Sequence, residues 1–186
     1  MPEFTIVGIA GGVRKNAYSL ALLRAAAELV PPGTRLEIAD IGGLPVFNQD
    51  DEGTLPVPVR RLKDQVRSSD AVLFSLNEHN YGLSAAEKNA IDWASRPYPD
   101  NSWAGKPAGL MSASVGMLGG ARAQYALRQA MVFLNMFPIN RPEVFVPFVH
   151  QKIDSAGKLT DEPARKFVAE HLKELVRHAR QLALRV

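Results

Sequence analysis

The chain has no cysteine. That removes disulfides, thiolate metal sites and cysteine nucleophiles from consideration. It has no apolar run of the roughly 20 residues needed to cross a bilayer, and no basic segment followed by an apolar stretch near Met1, so neither membrane insertion nor a signal peptide is expected. A cytoplasmic location is the resulting expectation. Charge of one sign is also scarce: 22 Lys and Arg against 19 Asp and Glu leave a formal net charge of +3. Much of that excess falls on the last predicted helix, in Lys166, Lys173, Arg177, Arg180 and Arg185, interleaved with Glu170 and Glu174. Such a pattern is a solvated helix face, not the clustered stripe of a nucleic-acid binder. The chain lacks Gly-x-x-x-x-Gly-Lys-Ser/Thr, Gly-x-Gly-x-x-Gly and Gly-x-Ser-x-Gly, which excludes a P-loop, a dinucleotide fingerprint and a nucleophile elbow. Metal-ligand spacing is absent, and His150, His171 and His178 read as surface residues. There is no repeat, linker or low-complexity segment.

What remains is a chain of 186 residues, 46% hydrophobic, the size of one domain with a sizeable core. Apolar strands alternate with helical patterns, the signature of βαβ units. Strands are predicted over residues 4–10, 35–41, 71–76, 107–114 and 143–149, and helices over 19–30, 59–69, 85–95, 119–137 and 161–184. Residues 42–58 form a long loop rich in Pro, Asp and Gly that could cover a cleft. The 71–76 run is apolar but for Ser75, as in a central parallel strand buried on both faces. The expected product is a single α/β domain over residues 1–186 with right-handed crossovers.

Three segments beyond strand ends carry the polar chemistry, and in open α/β sheets ligands bind there. Gly11-Gly12-Val13-Arg14-Lys15 offers free backbone N–H groups, a helix start and a guanidinium, all suited to a phosphate. Asn77-Glu78-His79-Asn80-Tyr81 follows the central strand. Residues 112–122 follow the fourth strand with glycines and serines that permit close approach of a flat ligand. His79 could be a general base, but no carboxylate or nucleophile is placed by sequence to complete a dyad. Trp93 reads as core or subunit interface.

Taken in order, these motifs resemble the NAD(P)H-dependent FMN reductases of flavodoxin-like fold, the group that includes chromate and quinone reductases. The family's Gly-Ser-x-Arg-x-x-Ser-x-Asn phosphate loop corresponds to residues 11–19. Its Pro-Glu-Tyr-Asn ring motif corresponds to Asn77-Glu78-His79-Asn80. Its Leu-Lys-Asn-Ala-Ile-Asp-Trp segment corresponds to residues 87–93, and Gly119-Gly120-Ala121-Arg122 and Leu127-Arg128-Gln129 match two further signatures.

The resemblance implies a flavodoxin-like three-layer α/β/α sandwich with a five-stranded parallel sheet of order 2-1-3-4-5. It implies bound FMN, with NADPH or NADH as co-substrate, and a small-molecule electron acceptor: a quinone, free flavin, chromate or another metal, or an azo compound. No residue need act as a catalytic acid or base, since the chemistry lies at flavin N5, and no metal is involved. Gly12, Arg14, Ala17, Tyr18 and Ser19 would hold the phosphate. Asn77, Glu78, His79 and Asn80 would line the ring, and Ser114 and Gly116 would close its other side. A homodimer or homotetramer is implied, without nucleic-acid or membrane partners, and the helix with Asp92 and Trp93 is a candidate contact. The chain departs from the pattern at Gly12 and Ala17, where the family has serines, at Ser19, where it has asparagine, and over 84–87, where an apolar stretch gives way to Ser-Ala-Ala-Glu. Two missing hydroxyls imply looser FMN binding, restored by Gly12→Ser with Ala17→Ser. The alternative is a flavodoxin-like module that binds FMN weakly or not at all and acts through protein contacts.

Overall fold

The computed structural model describes residues 4–184; Arg185, assigned above to the last helix, lies outside them. The elements run β1 (Phe4–Ala10), α1 (Tyr18–Leu29), β2 (Thr34–Ala39), α2 (Val57–Ser68), β3 (Ala71–Leu76), β4 (Glu78–His79), β5 (Gly82–Leu83), α3 (Ala85–Ala94), β6 (Pro107–Ala113), α4 (Ala121–Leu134), β7 (Phe137–Pro138), β8 (Val144–Val146) and α5 (Glu162–Ala183).

The main sheet is parallel, in the order β2-β1-β3-β6, with β7 and β8 sharing the position beyond β6. This is the flavodoxin-like order 2-1-3-4-5. Its last strand is broken: β7 pairs with β6 at Pro107 and Ala108, and β8 at Met111 to Ala113. The strand predicted over 143–149 therefore shrinks to Val144–Val146. Pro147 has no N–H for the ladder, and Phe148 turns the chain with φ +50°.

Side chains alternate across β1, β3 and β6, so the sheet buries both faces. On one face Ile6, Leu73 and Met111 pack with Leu22 and Leu23 of α1 and Val168, Leu172 and Leu175 of α5. On the other, Val7, Ile9, Phe74 and Leu110 pack with Leu62 and Val66 of α2, Ile91 of α3, and Leu127 and Met131 of α4.

Two polar side chains are built into these layers. His171, expected at the surface, is buried on α5. It shares a helix face with Val168, Leu172 and Leu175, and that spacing overrides its polarity. Its Nδ1 lies 2.7 Å from the Pro142 carbonyl, an acceptor only, so Nδ1 carries the proton. Nε2 has no partner and fills the space a Cβ at Gly109 would need. Burial holds this imidazole's pKa down at about 4. Lys63 of α2 is 1% exposed, and its ammonium donates to the Arg96 and Asp100 carbonyls and pairs with the Asp100 carboxylate at 3.3 Å. It pins the 95–102 segment to α2. Among the described residues no helix is long and apolar enough to cross a membrane.

Candidate functional site

β1 and β3 are neighbours, while the chain leaves β1 for β2 on the opposite side. The crevice beyond their carboxyl ends is thus the switch point of the sheet, where such folds take ligands. The turn after β1 enters it. Gly11 N–H continues the ladder to the Ser75 carbonyl at 2.9 Å, and Gly12 N–H donates to Ser19 Oγ at 3.0 Å. Ala17 is the residue before the first turn of α1, and it has no side chain to cap it. Among the described residues, none accepts a hydrogen bond from the N–H groups of Val13, Arg14, Tyr18 or Ser19. The turn therefore presents several free donors at the positive end of a helix. Arg14 adds an exposed guanidinium, held 5.2 Å from the centre of the Tyr18 ring.

Position 12 has no room for a side chain. A Cβ there would stand 2.5 Å from Ala17 Cβ, 2.9 Å from Asn77 Nδ2 and 3.0 Å from Ser19 Oγ. The expectation that Gly12→Ser would restore a phosphate donor is corrected by this packing: in this turn a serine displaces its neighbours. Ser19 is likewise committed. It is buried, its Oγ accepts from Gly12, and its carbonyl accepts from Ser75 Oγ at 2.8 Å.

The segment after β3 folds as a hairpin, β4 and β5, that the sequence reading did not include. Its two connecting residues, Asn80 and Tyr81, have φ +51° and +67°, the pair of positive angles of a type I′ turn. Asparagine tolerates this conformation, but tyrosine there is strained. Asn77 Oδ1 is buried and has no partner. Glu78 does not face open space. Its carboxylate accepts from Arg122 N–H at 3.1 Å and Arg122 Nε at 2.5 Å, and pairs with the guanidinium. The same guanidinium lies 3.6 Å from the centre of the Tyr81 ring. Glu78 thus clamps the hairpin to the start of α4. His79 and Asn80 are exposed on the hairpin.

The loop after β6 is held from below. Ser112 Oγ donates to the Gly119 carbonyl at 2.7 Å and accepts from Gln124 Nε2 at 2.9 Å. Gly119 and Gly120, at φ +59° and +88°, sit against the β8 backbone and Ser112. These glycines serve packing. Ser114 Oγ accepts from Gly116 N–H at 3.1 Å, which leaves a short turn with Gly116 exposed at the rim.

A further junction joins the first two loops. Ser84 Oγ donates to the Gly11 carbonyl at 2.6 Å and accepts from Glu87 N–H at 3.2 Å. The Glu87 carboxylate accepts from Ser84 N–H at 3.3 Å, completing a capping box at the start of α3. Glu87 is 1% exposed, and burial pushes its pKa up to about 8 against the opposing N–H groups of Ser84 and Asn77. The rest of the 87–93 motif ties down the 42–48 loop: Asn89 Nδ2 and Trp93 Nε1 both donate to the Pro45 carbonyl at 2.8 Å. Trp93 is fully buried, edge-on to Phe47 with ring centres 5.0 Å apart, so it is core and not a surface contact.

Cavities flank the phosphate-type turn on two sides. One of about 250 Å³ lies among Arg14, Tyr18, Arg24, His150 and Asp154. A larger, mostly apolar groove of about 480 Å³ runs between Val13, Leu44, Phe47 and Ala86. No cluster of metal-ligating side chains exists among the described residues. The arrangement can bind an anion on backbone N–H groups and present a flat group to the hairpin and the 114–116 turn. It offers no acid–base dyad. Ser84 and Glu87 join these loops through Gly11, whereas Tyr81 and Arg122 lie inside sequence motifs whose spacing does not show that the two side chains meet.

Comparison with known proteins places this geometry. The model of the NADPH-dependent FMN reductase family matches residues 4–151. An NAD(P)H-dependent FMN reductase of Pseudomonas aeruginosa is 43% identical over 181 residues, covering 97% of each chain. An NADPH:quinone oxidoreductase of Arabidopsis thaliana is 40% identical, covering 100% of this chain and 94% of its own. The solved structure of FerB, a flavoenzyme NAD(P)H:(acceptor) oxidoreductase of Paracoccus denitrificans, superposes with a TM-score of 0.87 at 32% identity, over 96% of this chain and 98% of its own.

Proposed function

Because the chain belongs to the NADPH-dependent FMN reductase family, we propose that it is an FMN-dependent NAD(P)H oxidoreductase that passes electrons from a nicotinamide to a quinone, free flavin, chromate or other metal ion, or azo acceptor. The observation that carries this reading is the set of unengaged N–H groups at Val13, Arg14, Tyr18 and Ser19, at the switch point and beside the Arg14 guanidinium. A phosphate there meets donors, a helix N-terminus and a cation without any serine hydroxyl. Asn77 Nδ2, a further donor, lies against the same turn, and its Oδ1 is buried without a partner. The residues present therefore fit FMN, and the unfilled donors favour the enzyme over a flavin-free module.

When bound, FMN supplies the hydride acceptor, at N5, and the two-electron donor for the second substrate. The chain's own work is positioning. The 12–19 turn and Arg14 would hold the phosphate. Asn77, His79 and Asn80, at and just before the hairpin, would border the ring on one side, and Ser114 and Gly116 on the other. Glu78, through Arg122, ties the hairpin to the start of α4. Proton transfer by a side chain is not required, and His79 serves as a wall.

Assembly as a homodimer or homotetramer fits the exposed Tyr125, Val132 and Phe133 on α4 and Met117 and Leu118 beside the site. A cytoplasmic location fits the NAD(P)H co-substrate. The test is titration of flavin-free protein with FMN and with riboflavin. Tight FMN and weak riboflavin binding support the phosphate turn; equal binding of both, or of neither, contradicts it.

A further inference from the structure

Glu87 is a buried carboxyl that the reading above leaves without a task. It stands where three parts of the site meet: the Gly11-Gly12 turn, the start of the hairpin segment at Asn77, and the N-terminus of α3. Its carboxyl carbon lies 2.2 Å from where a Cβ of Gly11 would be, so it fills the place of that side chain directly behind the turn. Oε2 accepts from Ser84 N–H and the Asn77 N–H also bears on the carboxylate, but Oε1 is buried and makes no hydrogen bond of its own. No cation faces it. On the turn, Arg14 is exposed and lies over Tyr18; on the hairpin, Glu78 is paired with Arg122; on α3, Lys88 is paired with Asp92 at 2.6 Å. A carboxylate in such a place has too few donors for its charge, whereas the neutral acid is accommodated and can use its own O–H.

We propose that Glu87 is a positioning residue for the flavin phosphate, which must be an uncharged carboxylic acid for the Gly11-Gly12 turn to bind the dianion, so that FMN binding and Glu87 protonation are coupled. The proposal rests on the FMN reading above. The physical argument is reciprocity. An ionised Glu87 behind the turn repels a phosphate in front of it, through a buried region where charges are poorly screened. Bound FMN must then raise the proton affinity of Glu87 by the same factor by which ionised Glu87 lowers FMN affinity. The carboxyl of the free protein titrates near 8, so the effect falls within an accessible range. The phosphate, with a second pKa near 6, is already a dianion throughout that range.

The experiment is titration of flavin-free protein with FMN at pH 7 and pH 9, for the parent and for Glu87→Gln, together with calorimetry of the parent in buffers of different ionisation enthalpy. The parent should bind FMN roughly fivefold or more weakly at pH 9, within the usual range of coupling between sites, and should take up protons on binding near pH 8. Glu87→Gln should hold its affinity across the range. A merely structural role for Glu87 would weaken the variant at both pH values and leave no proton uptake in the parent. Equal parent affinity at both pH values, or parallel loss in parent and variant, overturns the proposal and leaves the FMN reading intact. If Glu87→Gln does not fold, absence of proton uptake by the parent overturns the proposal by itself. Failure of the folded parent to bind FMN at either pH overturns the FMN reading and the proposal with it.

Discussion

Two buried groups give this fold opposing responses to acid. His171 binds its proton only near pH 4 in the folded protein, against an ordinary value of 6.5. Between those values the unfolded chain binds more protons, so stability is lost as pH falls from about 6.5 to 4. At 1.36 kcal/mol for each tenfold change, that loss is about 3 kcal/mol, a large part of the roughly 5–15 kcal/mol that holds a domain together. Glu87 acts in the other direction. Its value rises from 4.5 to about 8, so the folded chain binds more protons between those limits and gains stability as pH falls through them. From pH 6.5 to 4.5 the two contributions nearly cancel, and the parent should show an almost flat profile there. Single variants separate them. Glu87→Gln removes the gain, so its stability should drop by about 3 kcal/mol between pH 6.5 and 4.5. His171→Leu removes the loss, so its stability should rise by a similar amount over the same interval. Urea unfolding at half-unit pH steps, with a common m-value, reads both slopes. Three parallel profiles would refute the assignment of these two groups as the buried titrating pair.

Other expectations follow from particular contacts. Gly12→Ser should overpack the turn, cost about 1–3 kcal/mol, and weaken FMN binding in a fluorescence titration; tighter binding would show that the turn relaxes to admit a hydroxyl. Lys63→Met removes the donor for the Arg96 and Asp100 carbonyls, and the loss of about 2–3 kcal/mol should lower the midpoint of a thermal melt by roughly 5–10 °C. His79→Ala should keep turnover within about tenfold of the parent at equal flavin occupancy, because proton transfer by a catalytic side chain contributes about 10²–10⁴-fold and His79 has no such task.

The layered fold was legible because β3 and β1 are almost wholly apolar, broken only by Ser75 and Thr5 among polar residues, and α1 and α5 carry clear helical spacing. The broken fifth strand was not. Its two pieces are three residues or fewer, too short for a period, and Pro147 and Phe148 end the second one in a way that an apolar run conceals. The hairpin was missed because Tyr81 takes the place where such turns usually have glycine. His171 and Glu87 both sit at apolar positions of their helices, and that spacing was the available signal: Val168 and Leu175 flank the first, Ala90 and Ile91 follow the second. The Glu78–Arg122 clamp joins residues 44 apart and leaves no mark on either local pattern.

The central claim is that electrons leave a nicotinamide through a flavin held by the 12–19 turn. Its most direct test is the initial rate of NAD(P)H oxidation with a simple benzoquinone, followed as FMN is added back to flavin-free protein. The account predicts turnover in proportion to bound FMN, with parallel double-reciprocal plots, since nicotinamide and acceptor must use the same ring in turn. Turnover without flavin, or a fully flavin-loaded protein that oxidises neither NADH nor NADPH, would contradict it.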